Sequence, residues 1–372
     1  MLGRCIKIVM CLMSLSYPSF LRGDAIADCA RIFEAEIRDG VVHGAAVVAG
    51  GLDGETISGA WGWADAAHTI SMTTRTVVDV ASVTKVAAGV TAYLVAHARG
   101  SVSFDIPFTN CLSAYSAPLA RSVTIRDLAN HISGFGEADG SSPRVYFSHD
   151  AKTMLRNVLS MPPREPIHGK IVYSCRNYIL LGQVFESLTG MRANEFCRRE
   201  IFDPVGMSDT SLGSLPPSAG KNRLAQTIGT EMPGTISDFV ARPLWTAGIG
   251  TFNAGMFSTA EDLAKLMRVY LRGGVCDNGT RLFGPGEMAQ IAPSTTNRVD
   301  GARAFGWQYA AVELPEELRG TSLFHSGWSG QTVLFDLKRR CYAVVLTTRC
   351  GDYNRAKRDR FKAIAALIGS TM

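Results

Sequence analysis

The sequence predicts an α/β (α+β) fold, with a central, mostly antiparallel sheet flanked by helices and an inserted all-helical lobe. The first observation behind this is that strand-type apolar stretches lie near both ends of the chain, at 45–61 and 332–347. The second is that 82–99, 123–131, 151–160, 173–189 and 259–272 carry helical periodicity and are separated by loops rich in Gly, Pro and Ser. Strands so far apart share a sheet only if the chain returns on itself, which turns the helices between them into an insertion. The third is composition: 372 residues, 46% hydrophobic and 19% charged, suit an ordinary globular chain of one large or two modest domains. The expected division is a signal or N-terminal extension at 1–22, a sheet region with flanking helices at 23–110 and 235–372, and the helical lobe at 111–234.

In chain order, Arg4 and Lys7 precede an apolar run at 8–15, with Ser14 and Ser16 placed like a signal-peptidase site. The run is too short to span a bilayer. It reads as an export signal, which places the protein in the periplasm or cell envelope, with a cytoplasmic extension as the alternative; an N-terminal tether is the one membrane attachment expected. Ile26, Ala30, Ile32, Phe33 and Ile37 then recur near helical spacing until Gly40, giving a first helix at 26–37. A hairpin follows from Ala45 through Trp61 around Gly50, Gly51 and Gly54. The β-rich run 76–80 leads into an apolar, alanine-rich helix ending near Gly100. Far downstream, strands at 332–336 and 342–347 flank the charged turn Lys338, Arg339 and Arg340, and a last helix at 354–368 puts Phe361, Ile364, Ala365 and Ile368 on one side.

The net charge of +5 comes from scattered basic residues, with short clusters at 338–340 and 355–362 that carry no nucleic-acid motif, so no nucleic-acid partner is expected. Nine cysteines, at 5, 11, 29, 111, 175, 197, 276, 341 and 350, form no CxxC pair and no Cys/His set at zinc spacing. No metal site is expected; most of these thiols are expected to be small buried hydrophobes, with one or two bridges left open. GxSxG, HExxH, GxxxxGK and GxGxxG are all missing, which removes the commonest rival enzymes and implies no cofactor.

Ser82-Val83-Thr84-Lys85 opens the helix after the 76–80 run. Residues i and i+3 share a helix face, so the Lys85 amine can reach the Ser82 hydroxyl and take its proton, provided burial or a neighbouring cation depresses the lysine pKa. The competing reading is a helix N-cap with a solvated lysine one turn on. A second such tetrapeptide, Ser218 to Lys221, follows Pro216 and Pro217 and contains a glycine, so it belongs to a loop. Tyr173 stands at the exposed opening turn of a helix with Leu180, Leu181, Val184, Phe185 and Leu188 as its buried stripe, where a phenol can relay a proton; it reads equally as a staple aromatic. His325-Ser326-Gly327-Trp328 precedes the closing hairpin, where an edge strand can lie along a substrate and lend backbone N–H groups to an oxyanion. Its bland alternative is a glycine-rich turn with a surface histidine.

These three elements resemble the SxxK, YxN and KTG-type motifs of class C β-lactamases, penicillin-binding DD-peptidases and related esterases, the last in its HxG form. Thr124-Ile125-Arg126-Asp127-Leu128-Ala129-Asn130-His131-Ile132-Ser133-Gly134, the IFDPVGMSDT run at 201–210 and the AGMFSTAEDL run at 254–263 are similar to further family segments, so the likeness covers about residues 40 to 350. It implies that Ser82 attacks a carbonyl to form an acyl-enzyme, that Lys85 and Tyr173 share the proton work, that the Ser82 and Trp328 amides form the oxyanion hole, and that His325 and Gly327 line the cleft. The implied partner is a small-molecule or peptide ester or amide: a β-lactam, a D-amino-acid peptide or a carboxylic ester.

Two positions depart from the pattern. Cys175 stands where YxN has its asparagine, with Asn177 two residues on as a candidate substitute for the missing donor, which counts against β-lactam turnover. His325 replaces the KTG lysine with a group of reference pKa near 6.5, so a charged His325 holding a substrate carboxylate predicts binding that weakens as pH rises. His131 reads as structural, and Cys175 has no histidine beside it to make it a nucleophile. A catalytically silent binding protein on the same fold is the alternative, for which Cys175 is the hint.

Overall fold

The computed structural model describes residues 20–52, 56–117, 120–136, 146–293 and 299–371. The segment read as an export signal, with Arg4, Lys7, Ser14 and Ser16, lies outside the described residues, as does Gly54 of the first hairpin. No helix among the described residues is long and apolar enough to cross a membrane.

Among the described residues ten strands occur in chain order: β1 (Val42–Gly51), β2 (Thr56–Gly62), β3 (Val78–Asp79), β4 (Ser211–Leu212), β5 (Met256–Ser258), β6 (Arg303–Ala304), β7 (Trp307–Gln308), β8 (Ser322–Ser326), β9 (Gln331–Asp336) and β10 (Cys341–Arg349). The main sheet runs β2-β1-β10-β9-β8-β7-β6, and β3-β5-β4 form a small second sheet. As expected, the two terminal hairpins share one antiparallel sheet: β1 lies against β10, with Ala46 opposite Leu346 and Val48 opposite Val344. β1 is apolar along nearly its whole length because both faces are covered. Ala45, Val47 and Ala49 face Cys29 and Phe33 of the Phe20–Arg38 helix and Phe361, Ile364 and Leu367 of the Tyr353–Thr371 helix. Ala46 and Val48 join the larger core on the opposite face, with the helices of the middle of the chain.

The helices read from periodicity are present as Ala151–Ser160, Cys175–Thr189 and Ala260–Leu271, with a shorter Ile125–Ala129. Within the β-rich run at 76–80 only β3 forms, and strands β4 to β7 escaped the sequence reading because two or three residues are too few to show an alternating pattern. For the same reason β8 is not the edge strand that the sequence suggested: β7 and β6 lie beyond it, although β7 engages β8 only through the Gln308 and Phe324 pair.

Arg176 ties the Cys175–Thr189 helix to the C-terminal end of the Ala151–Ser160 helix from a fully buried position. Its guanidinium donates to the Val158 carbonyl from Nε at 3.2 Å and Nη2 at 2.7 Å, and also to the Met161 carbonyl, while the Phe135 ring packs 4.3 Å from it. Burial pulls its pKa down to about 10. Arg176→Met leaves the Val158 carbonyl without its side-chain donor, while the Met161 carbonyl keeps the Tyr115 hydroxyl at 2.8 Å, and is expected to lower unfolding stability by roughly 1–3 kcal/mol. A urea midpoint equal to that of the parent contradicts this.

Candidate active site

β3 pairs with β5, and the chain then turns through Ala81, at φ +46°, directly into Ser82. A left-handed alanine is strained by about 1–3 kcal/mol and needs support from its surroundings. Asp79 supplies it: Oδ1 accepts the Ala81 N–H at 3.2 Å, and Oδ2 accepts the amide and hydroxyl of Ser237 at 2.8 and 2.5 Å. Burial pushes the Asp79 carboxyl up to about 6, against the Ser237 bonds that favour its ionised form.

The predicted helix at 82–99 is built from three pieces, a 3-10 turn at Ala81–Val83, a π-helical stretch at Lys85–Val90 and an α-helix at Thr91–Ala98. Residues 83–96 are buried on every side, so the Lys85 stem runs through the interior as its sequence suggested. Gly89 permits the approach of the next segment, since a Cβ there would stand 2.9 Å from Phe252 Cβ. The 251–253 backbone therefore lies against the helix and presents the Asn253 carbonyl to Lys85.

Ser82, Lys85 and Tyr173 converge. Lys85 Nζ donates to Ser82 Oγ at 3.0 Å, to the Asn253 carbonyl at 2.7 Å and to Cys175 Sγ at 3.5 Å, while the Tyr173 hydroxyl donates to Ser82 Oγ at 2.8 Å. The N-cap alternative for Ser82 is not realised, because its hydroxyl bonds side chains across the cleft and caps no helix. The other tetrapeptide behaves as a loop, with Lys221 exposed and Ser218 bonded to the Ser208 carbonyl.

Tyr173 precedes its helix, which begins at Cys175 with an extended Ser174 at the cap. His131 fixes this entry: its Nδ1 accepts the Ser174 N–H at 3.2 Å and the Asn177 amide at 3.0 Å, and its ring packs 4.7 Å from that of Tyr173. Asn177 also accepts from Ser133 at 2.7 Å and is fully buried. It is therefore spent on the scaffold and does not reach the cavity in place of the donor lost at Cys175. His131 has the structural role expected of it.

The requirement that burial depress Lys85 is not met. Burial does act against the ammonium, but Cys175, Tyr173 and Asp238 outweigh it, and the net shift is upward. Tyr173 is raised too, by burial, with Lys85 pulling the other way. The resting pair is an ammonium beside a neutral phenol, held as one coupled unit.

A cavity of about 250 Å³ opens on Ser82 and is walled by Tyr173, Cys175, Asp238, Arg303, His325 and Trp328. The β8–β9 turn closes it from above. Gly327 is needed there because a Cβ would meet the Val80 carbonyl at 2.8 Å and Gln331 Oε1 at 2.6 Å, so only a bare backbone sits this close to the strand leading to Ser82. Trp328 is 39% exposed at the rim, its carbonyl bonded by Arg349 Nε at 2.8 Å.

His325 departs from expectation. Burial holds it well below its ordinary pKa, Arg303 and Lys85 push the same way, and only the Ser326 carbonyl opposes. Its Nδ1 lies 3.0 Å from that carbonyl, which can only accept, so Nδ1 carries the proton and the buried Nε2 is a bare acceptor. A neutral imidazole cannot hold a substrate carboxylate by charge. The inhibition constant of a carboxylate ligand is accordingly expected to stay flat from pH 5.5 to 8; a steady weakening across that range would restore a charged His325.

Sequence reasoning missed Arg303, Asp238, Asn253 and Asp79. Asn253 adjoins the 254–263 run that was recognised, and Asp79 lies within the β-rich run. Arg303 and Asp238 carry no local signal.

A family model described as Beta-lactamase matches residues 30–367. A putative D-alanyl-D-alanine carboxypeptidase of Salmonella typhimurium is 26% identical over 333 residues, covering 78% of this chain and 75% of its own. A class C beta lactamase from Rhodobacter sphaeroides superposes with a TM-score of 0.70 at 22% identity, over 92% of this chain and 98% of its own. A family VIII carboxylesterase does so with a TM-score of 0.70 at 19% identity, over 92% and 97%. The fold, the arrangement around Ser82 and a match over most of its length lead to one conclusion: this chain belongs to the beta-lactamase family.

Proposed function

We propose that the protein is a serine hydrolase or acyl-transferase acting through an acyl-enzyme on an ester or amide. The observation that carries this is the convergence of the Tyr173 hydroxyl and the Lys85 amine on Ser82 Oγ, at 2.8 and 3.0 Å. Once the Tyr173 and Lys85 pair has given up one proton to solvent, Ser82 Oγ bonds to the carbonyl carbon as its own proton passes to the pair, and the charge on the carbonyl oxygen faces the Ser82 and Trp328 amides. The pair then returns a proton to the leaving group as the scissile bond breaks. Water completes hydrolysis, or an amine or alcohol completes transfer, by the same route in reverse.

Relatives named as a putative D-alanyl-D-alanine carboxypeptidase, a class C beta lactamase and a family VIII carboxylesterase support an ester or amide substrate. Cys175 offers no amide donor beside the nucleophile, and Asn177 is committed elsewhere, which favours esters over acylamino β-lactams. The test is labelling with a fluorophosphonate and a fluorescent penicillin. Stoichiometric modification mapping to the Ser82 peptide is expected with at least the first. No modification by either supports the silent binding protein instead. We also propose export to the periplasm or cell envelope through residues 1–22, which rests on Arg4, Lys7 and the apolar run; full-length protein confined to the cytoplasm on fractionation refutes it.

A further inference from the structure

The acyl-enzyme steps make no use of a pair of opposite charges buried under the two terminal helices. Glu36 follows Cys29 and Phe33 along the inward face of the Phe20–Arg38 helix, and Arg360 stands between Ala356 and Ile364 on the inward face of the Tyr353–Thr371 helix. Neither side chain has any exposed surface. Oε1 and Oε2 of Glu36 and Nη1 and Nη2 of Arg360 are each buried without a hydrogen-bond partner among the described residues.

The two groups nevertheless act on each other. Burial pushes the Glu36 carboxyl up to about 7, with Asp359 adding to the rise and Arg360, Arg355 and Arg358 opposing it, and Cys350 just after β10 also faces this carboxyl. Burial pulls the Arg360 guanidinium down to about 10, against Tyr353 and Glu36 and with Arg349. The charges are near enough to interact and too far apart to touch. Ions buried in this way are costly unless something hydrogen-bonds them. Whatever joins them must accept from guanidinium N–H groups on one side and donate to carboxylate oxygens on the other. Glu36 repels an anion, and Arg360 repels a cation. Water meets both demands, and a buried water with about three hydrogen bonds is a common way for a protein to satisfy such atoms.

Arg360 also reaches the substrate side. Its Nε donates at 3.3 Å to Thr332 Oγ1, which lies 3.0 Å from Ser326 Oγ, and Ser326 lines the cavity that opens on Ser82. Tyr353 and Lys357, two turns and one turn before Arg360 on the same helix, line that cavity too. We infer that the space between Glu36 and Arg360 is a binding site for buried water, and that Glu36 acts through this water and Arg360 as a positioning residue for the wall made by Ser326, Tyr353 and Lys357. The positioning role rests on the acyl-enzyme reading above, whereas the water site stands apart from it.

Three measurements on the wild type, Glu36→Gln and Glu36→Leu supply the test. A crystal structure fine enough to place waters should show at least one bonded to both Glu36 and Arg360. In solution, a carboxyl raised from 4.5 to about 7 by folding holds its proton more tightly in the folded state, so its contribution to stability is present at low pH and is lost as pH climbs through that interval. The urea midpoint of Glu36→Gln should therefore gain on that of the wild type between those pH values and keep its lead above them. For a nitrophenyl ester, KM should rise by about twofold in Glu36→Gln and about fivefold in Glu36→Leu with kcat nearly kept, because the wall shifts while the reacting groups stay. A merely structural Glu36 would change the midpoint and leave KM alone.

Direct contact between Glu36 and Arg360, or a space between them that holds no water, overturns the water site. So does a wild-type midpoint that gains on Glu36→Gln over the same interval, the mark of a carboxyl lowered by direct pairing. An unchanged KM in both variants overturns the positioning role, and if Glu36→Leu does not fold, Glu36→Gln alone decides it. A wild type that neither turns over the ester nor takes the fluorophosphonate sinks the acyl-enzyme reading and the positioning role together, and the crystal structure and the midpoints still decide the water site.

Discussion

Ser82→Ala is expected to reduce nitrophenyl ester hydrolysis to background, a loss of roughly 10⁴-fold or more, with no comparable loss of stability. The hydroxyl is the point on which Lys85 and Tyr173 both converge, so its removal deletes the acceptor of the acyl group rather than one contribution among several. The fold should persist because Lys85 keeps the Asn253 carbonyl and the turn before it is held by Asp79, not by the serine. Had the hydroxyl served only as a cap, the same change would cost about 1 kcal/mol of stability and leave activity untouched. Steady-state kinetics and a thermal melt on one preparation separate the two outcomes, and a variant that melts early but still turns over would reverse the assignment.

Lys85→Ala is expected to slow acylation by about two orders of magnitude or more, read as the rate of fluorophosphonate labelling. The pKa directions add a pH dependence. Lys85 and Tyr173 are both raised, so at neutral pH the pair is protonated and its basic form is scarce. Loss of one proton creates the base, so kcat/KM for a neutral ester should climb from pH 7 to 9, by up to about tenfold per unit, before the pair titrates. Lys85 is also the cation that pulls the Tyr173 phenol downward, and removing it should move what remains of that rise to higher pH. Labelling at near-parent rates, or a wild-type profile already level at pH 7, rejects this division of the proton work.

Much of the fold was legible in the chain. The two terminal hairpins announced themselves by continuous apolar runs bounded by Gly or charged turns, and the Ala151–Ser160 and Ala260–Leu271 helices by their periodicity. The three-piece build of the nucleophile helix was not legible, because it depends on Phe252 pressing against Gly89 from far along the chain. The short strands β4 to β7 were illegible for want of length.

What the sequence determined by itself is what contiguous residues can determine. The three-residue spacing of Ser82 and Lys85 and the order of Ser82, Tyr173 and His325 are read directly from the chain, whereas the need for glycine at 327 comes from the approach of Val80. Charge states do not. The upward shift of Lys85, the neutral His325, the capture of Asn177 by His131 and Ser133, and the presence of Arg303 in the cavity were decided only by the tertiary structure. Burial and through-space charge are set by residues brought together from distant parts of the chain, and no window of sequence contains them.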